Sequence, residues 1–115
     1  MKNRPFLRRL RFAANGIATA FRGESSFRVQ CGAAAFVVLT LLMKRAEPVW
    51  WAVLLLCCGA VLAAELLNTA LEHALDALHP EIHPGIRAAK DCAAGAVLIL
   101  CMASASLFAA FLLGG

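Results

Sequence analysis

Ala64-Glu65-Leu66-Leu67-Asn68-Thr69-Ala70-Leu71-Glu72-His73-Ala74-Leu75-Asp76 is the stretch that decides the architecture of this chain. Steps of three, four and four residues separate Glu65, Asn68, Glu72 and Asp76, so these side chains fall on one stripe of a helix with about 3.6 residues per turn. Apart from Thr69 and His73 the rest of the segment is alanine and leucine, and residues 49–63 just before it carry no charge. An ionised side chain near the centre of a bilayer costs on the order of 3 kcal/mol on insertion scales. A row of carboxylates there must face protein, water, a metal ion or a substrate, and not lipid.

Composition sets the same scene. Of 115 residues, 62% are hydrophobic and the mean hydropathy is +0.77, above what ordinary soluble domains carry. The reading is an all-α integral membrane protein. Its length suits three spanning helices of about 20 residues and one amphipathic arm, forming a single domain over 1–115. The spans are expected at about 29–43, 49–78 with a cytoplasmic extension, and 92–113, and the surface helix at about 6–22. Breaks fall at Lys44-Arg45-Ala46-Glu47-Pro48 and at His79-Pro80-Glu81-Ile82-His83-Pro84-Gly85. Pro48 suits the first turn of the second span, and Pro80, Pro84 and Gly85 are expected to stop its far end. Trp50 and Trp51 fall where indole rings settle at a membrane interface. Three helices offer few sheltered positions, so the polar stripe points to a homo-oligomer.

Lys2, Arg4, Arg8, Arg9, Arg11, Arg22 and Arg28 precede the first span, and Arg87 and Lys90 precede the third. The excess of positive charge places both regions, with the N-terminus, on the cytoplasmic side; counting spans puts the C-terminus outside. The arm does not read as a cleavable signal, because its charges continue past Arg11 and no compact apolar core precedes a small-residue cleavage site. Phe6, Leu10, Ala13, Ala14, Ile17 and Phe21 recur at helical spacing, with Arg8 and Arg11 elsewhere on the wheel, as in a helix lying on the membrane surface. Its arginines suit lipid headgroups or a phosphorylated ligand.

Cys31, Cys57, Cys58, Cys92 and Cys101 have no pairing or metal spacing and read as small apolar packing residues. His79 and His83 are four apart, but the prolines around them argue against a shared metal. No Walker A sequence, nucleophile elbow, dinucleotide fingerprint or protein-kinase glycine loop is present. What remains is the set Glu24, Glu65, Glu72, Asp76 and Asp91, with Arg28, Asn68 and Lys90 as partners. Hard oxygen ligands of this kind suit Mg²⁺ carrying nucleotide phosphates. Glu65 lies roughly 16 Å deeper than Asp76 at about 1.5 Å per residue, which fits a deep carboxylate taking a proton from a lipid hydroxyl while shallower groups hold metal and nucleotide. The same residues also fit a purely structural reading, with Asn68 as interhelical glue, Asp91 capping the third helix, and Lys90 and Arg28 reaching headgroups.

Residues 64–72, followed by Asp76 and by Ala89-Lys90-Asp91-Cys92-Ala93-Ala94-Gly95-Ala96-Val97-Leu98, closely resemble the signature of the prokaryotic diacylglycerol kinase family, which includes undecaprenol kinases. The likeness extends to residues 11–16 in the arm and to Glu24-Ser25-Ser26-Phe27-Arg28, and so covers nearly the whole chain. It implies a homotrimer of three-span protomers with an amphipathic surface helix and composite sites at subunit interfaces. It further implies a bacterial inner-membrane lipid kinase using ATP and Mg²⁺, with no nucleic-acid partner. By residue, the resemblance makes Glu65 the catalytic base and gives the metal to Glu24 and Glu72. It gives the nucleotide to Asn68, Glu72, Asp76, Lys90 and Asp91, with Arg8 and Arg11 from the arm. The lipid falls to Phe27, Arg28, Gln30, Glu65 and Ala94. Pro5 falls near a position where enterobacterial members carry a functional arginine.

The lipid itself is read as diacylglycerol, with undecaprenol as the alternative. His83-Pro84 and residues 93–98 look more like the undecaprenol kinases, and Gln30 stands where enterobacterial diacylglycerol kinases carry an acidic residue. A rival of another class is a small channel or holin-like oligomer whose acidic stripe lines an aqueous path; it leaves Ala-Lys-Asp and Glu24 without a role.

Overall fold

The computed structural model describes residues 5–81 and 83–115. Lys2 and Arg4 of the basic arm and Ile82 of the second break lie outside the described residues. Four helices follow one another: α1 (Phe6–Gly23), α2 (Ser25–Met43), α3 (Pro48–Leu78) and α4 (Pro84–Gly114). No strand occurs among the described residues. The last three helices are long and apolar enough to cross a membrane, so the protein is an all-helical membrane protein with three spans behind an amphipathic first helix. α4 packs most extensively on α3, and α2 packs on α3 as well.

Two helix starts differ from the hydropathy reading. α2 begins at Ser25, four residues before the expected start, because Glu24 alone is extended (φ −120°, ψ 112°) and the polar residues after it already form the first helical turn. α4 begins at Pro84 and not at residue 92. Pro84 and Gly85 therefore open α4 instead of stopping α3, which ends at Leu78 when His79 leaves the helical region (φ −148°, ψ 77°) ahead of Pro80. Asp91 thus lies two turns inside α4 and caps nothing. The N-cap is His83, whose Nδ1 accepts a hydrogen bond from the Gly85 N–H at 2.9 Å.

The turn between α2 and α3 is strongly specified. Arg45 takes a left-handed conformation (φ 49°), the Ala46 N–H donates to the Leu41 carbonyl at 3.1 Å, and the Arg45 N–H donates to Leu42 at 3.2 Å. These are the two bonds of a Schellman motif. Its usual apolar contact is present too, since Ala46 packs against the cluster of Leu41, Leu54 and Phe111. Trp50 stacks obliquely on Phe111 with ring centroids 5.3 Å apart. Lys44 reaches across this cluster: its ammonium lies 4.9 Å from the centre of the Phe111 ring and donates to the Leu112 carbonyl at 3.2 Å, capping the end of α4. All three spans are thereby tied together at one end.

Elsewhere the spans bury little within the protomer; Phe36, Leu56, Ile99 and Met102 are among many large apolar side chains left exposed. Such faces suit lipid or neighbouring copies. On α1 only Ala20 is buried, while Phe6, Leu7, Leu10, Ile17 and Phe21 stay exposed along with the arginines. Because Phe111 is fully buried in the terminal cluster, Phe111→Ala is expected to lower stability by about 3 kcal/mol. Phe36→Ala, at an exposed position, should cost clearly less. Equilibrium unfolding in mixed micelles checks the contrast.

Candidate active site

Five residues at the junction of α1 and α2 carry three tethers. Glu24, in its extended conformation, brings its Oε1 to 3.6 Å from Nε2 of His73 on α3. Two residues on, the Ser26 hydroxyl donates to Oε1 of Glu65, also on α3. Two further on, the Arg28 guanidinium donates through Nη1 to the carbonyls of Phe21 and Arg22, at 2.7 and 3.1 Å. Those carbonyls belong to the last turn of α1, whose oxygens lack intrahelical partners. The junction is thus bound to α3 through its first and third residues and to α1 through its fifth. Phe27, between them, is buried.

Glu65 is the most deeply placed charged group. It retains 5% of its accessible surface, and Thr69, one turn along, retains 8%. A carboxylate so enclosed needs hydrogen-bond partners, and Ser26 supplies one. Along the same stripe Asn68 follows, with its Oδ1 buried and without a partner, then the half-buried Glu72. Gln30 Oε1, one turn beyond Ser26 on α2, is likewise buried without a partner. Buried polar atoms of this kind are ordinarily satisfied by protein or by ordered water.

At the stripe's far end Asp76 receives Lys90 from α4, Nζ to Oδ1 at 2.5 Å. Arg87 Nε approaches Asp91 Oδ1 at 3.5 Å within α4. A cleft of about 90 Å³ opens beside the Lys90–Asp76 pair, lined also by His79, Glu81, His83 and Arg87. The rings of His79 and His83 meet edge to face at 5.5 Å. Ala94, a turn past Lys90, is exposed, as are Arg8 and Arg11 on α1. A larger cavity, about 570 Å³ and almost wholly apolar, lies between α1, α2 and α3; Ile17, Phe21, Phe27, Cys31, Leu62 and Leu66 border it. Leu62 and Leu66 lie either side of Glu65 in sequence, so apolar space and a buried carboxylate meet on the same turns of α3.

Of the expected site residues, the structure joins Glu24 to the turn of α3 that carries Glu72, and Lys90 to Asp76. It leaves Arg8 and Arg11 on an exposed helix. Ser26 and His73 were not among the expected residues, although Ser26 lies within the quoted 24–28 segment and His73 beside Glu72. Among the described residues no three His, Cys, Asp or Glu side chains stand close enough to hold a metal ion by themselves. The donor set is nonetheless the kind Mg²⁺ uses, since that ion commonly takes one or two carboxylates and completes its shell with substrate phosphates and water.

A helical membrane protein with a buried carboxylate at the deep end of an acidic stripe, apolar space beside it and an ion-paired lysine at the shallow end has the outline of a membrane-embedded lipid kinase. Sequence comparison agrees. Residues 11–112 match the model of the prokaryotic diacylglycerol kinase family, and the chain belongs to that family. It is 36% identical over 92 residues to the undecaprenol kinase of Bacillus subtilis, covering 80% of this chain and 75% of that protein. Similarity to the diacylglycerol kinase of Synechocystis is 37% over 95 residues, covering 82% of this chain and 54% of that protein. With the diacylglycerol kinase of Pseudomonas aeruginosa it is 33% over 106 residues, 90% of this chain and 84% of that one. Membership makes this protein a lipid kinase with ATP as co-substrate.

The Lys90–Asp76 pair is not a stability device, because the Asp76 side chain is 63% exposed and pairs so open to solvent contribute at most about 1 kcal/mol. Asp76→Asn is therefore expected to leave the unfolding midpoint nearly unchanged in thermal melts of the micellar protein, whatever it does to turnover.

Proposed function

We propose that this kinase transfers the γ-phosphoryl group of Mg-ATP to the hydroxyl of diacylglycerol, giving phosphatidic acid, at the cytoplasmic face of the bacterial inner membrane. The observation that carries the reading is the burial of Glu65 on α3, on the turns whose Leu62 and Leu66 border the apolar cavity. A lipid hydroxyl on an apolar body needs a base close to apolar space and sheltered from bulk water, which the burial of Glu65 supports. Glu65 takes or orients the hydroxyl proton. The lipid oxygen then attacks the γ-phosphorus in line as the bond from that phosphorus to the β,γ-bridging oxygen breaks and ADP leaves, with no covalent enzyme intermediate.

Glu24 and Glu72 would hold the metal that accompanies ATP, which would supply positive charge to offset that of the phosphates. Lys90 neutralises charge on the transferring group. In the protein alone Asp76 occupies the Lys90 ammonium, so Asp76 keeps that charge aimed at the stripe until phosphate oxygens compete for it. Asn68, Asp91, Arg8 and Arg11 line the nucleotide side, and Phe27, Gln30 and Ala94 the lipid side. Arg28 acts there through its hold on the end of α1. The partnerless oxygens of Asn68 and Gln30 and the exposed apolar span faces support a homotrimer with composite sites. The basic residues before α2 and early in α4 support a cytoplasmic N-terminus.

Undecaprenol is the second reading, favoured by the match to the Bacillus subtilis enzyme. Purified protein in mixed micelles, offered diacylglycerol and undecaprenol side by side, separates the two: transfer to diacylglycerol alone supports the proposal, and transfer to undecaprenol alone replaces its lipid. Glu65→Gln should assemble normally and lose turnover by about 10²- to 10⁴-fold, the usual worth of a general base; full activity would remove Glu65 from the chemistry. Glu72→Gln should chiefly raise the magnesium concentration needed for half-maximal rate, so an unchanged magnesium titration argues against it as a ligand.

A further inference from the structure

Ser26 has no role in the account above, yet it touches the residue on which that account rests. Its hydroxyl has one hydrogen, and that hydrogen is donated to Oε1 of Glu65. Glu65 comes from the middle of α3 and Ser26 from the first turn of α2, so the bond crosses between helices and fixes their relative register at the reacting end. A glutamate side chain has three rotatable bonds, and a carboxylate with no fixed donor samples several orientations. Held at one oxygen by a residue whose own backbone is anchored two residues before and two residues after, at Glu24 and Arg28, it keeps one.

Resting on the reading of Glu65 as the base, we propose that Ser26 is a positioning residue of the phosphoryl transfer: its hydroxyl occupies one oxygen of Glu65 and thereby leaves the other to receive the proton of the lipid hydroxyl. The division follows from the capacity of a carboxylate, whose two oxygens accept independently. Ser26 keeps its own proton throughout and is not phosphorylated. The bond also links the two halves of the chemistry. Ser26 follows Glu24 by two residues, so the segment that presents one metal-side carboxylate is the segment that orients the base. Misplacement by about 1 Å in such a constellation costs up to about 100-fold in rate.

The test compares Ser26→Ala, Ser26→Cys and Ser26→Thr with Glu65→Gln in mixed micelles, measuring kcat and the KM for ATP and for lipid separately. Ser26→Ala should lower kcat by about 10- to 100-fold with the KM for ATP held within about twofold, and Ser26→Thr should restore kcat to within about threefold of wild type. Ser26→Cys, close to serine in size but a weak donor, should follow alanine in kcat and in melting temperature. A thermal-melting cycle reads the contact directly: Ser26→Ala should lower the melting temperature of the parent and leave that of Glu65→Leu unchanged. Wild-type kcat in Ser26→Ala beside an inactive Glu65→Gln overturns the positioning role alone. Equal loss in alanine and threonine variants, tracking lowered melting temperatures, reduces Ser26 to packing and overturns it as well. An active Glu65→Gln removes the base reading beneath both.

Discussion

The burial of one carboxylate governs this molecule. Glu65 sits almost fully enclosed in an apolar helix, where an unpaired charge would be expelled or neutralised. Its surroundings answer that demand: a serine hydroxyl from the adjacent span donates to it, and an extended residue at Glu24 lets the α1–α2 junction turn in toward α3. Further along the stripe the demand relaxes. Glu72 is half-buried and Asp76 is largely exposed, so these groups can meet water and a hydrophilic ligand. Enclosure therefore gives way to exposure along α3 from Glu65 to Asp76.

Much of this was legible in one dimension. The stripe of Glu65, Asn68, Glu72 and Asp76 is a property of spacing, and its meaning follows from the cost of charge in hydrocarbon. The three spans follow from hydropathy for the same reason. What escaped depends on contacts between helices or on backbone choices that hydropathy ignores. Residues 84–91 are too polar to count as membrane, yet Pro84 and the His83 cap start a helix through them. The pairing of Ser26 with Glu65 spans 39 residues of sequence and is set by how α2 crosses α3, which no periodicity reveals. Lys44, which in sequence is only the first residue of the break after the first span, proves to be the cap of α4.

The protein divides its tasks between its two ends. Around Phe111 the three spans are joined by aromatic packing, a Schellman turn and a lysine cap, contacts that ask nothing of a ligand. Around Glu65 the contacts are polar instead, from Ser26 at the start of α2 to Glu65 and from Glu24 to His73, and they join α2 and the α1–α2 junction to α3. Apolar packing is concentrated at one end of the bundle and polar side-chain contact at the other.

The rigid turn at Arg45 makes α2 a lever. Ser26 lies fifteen residues from Leu41, or about 22 Å along the helix axis, and Leu41 is the fully buried end of that arm. A swing of α2 by about 3° about this fulcrum displaces the Ser26 hydroxyl by roughly 1 Å at that reach. Angular precision at one membrane face is therefore converted into linear precision at the other. A methyl group lost beside Phe111 can retune a bond to Glu65 that it never touches.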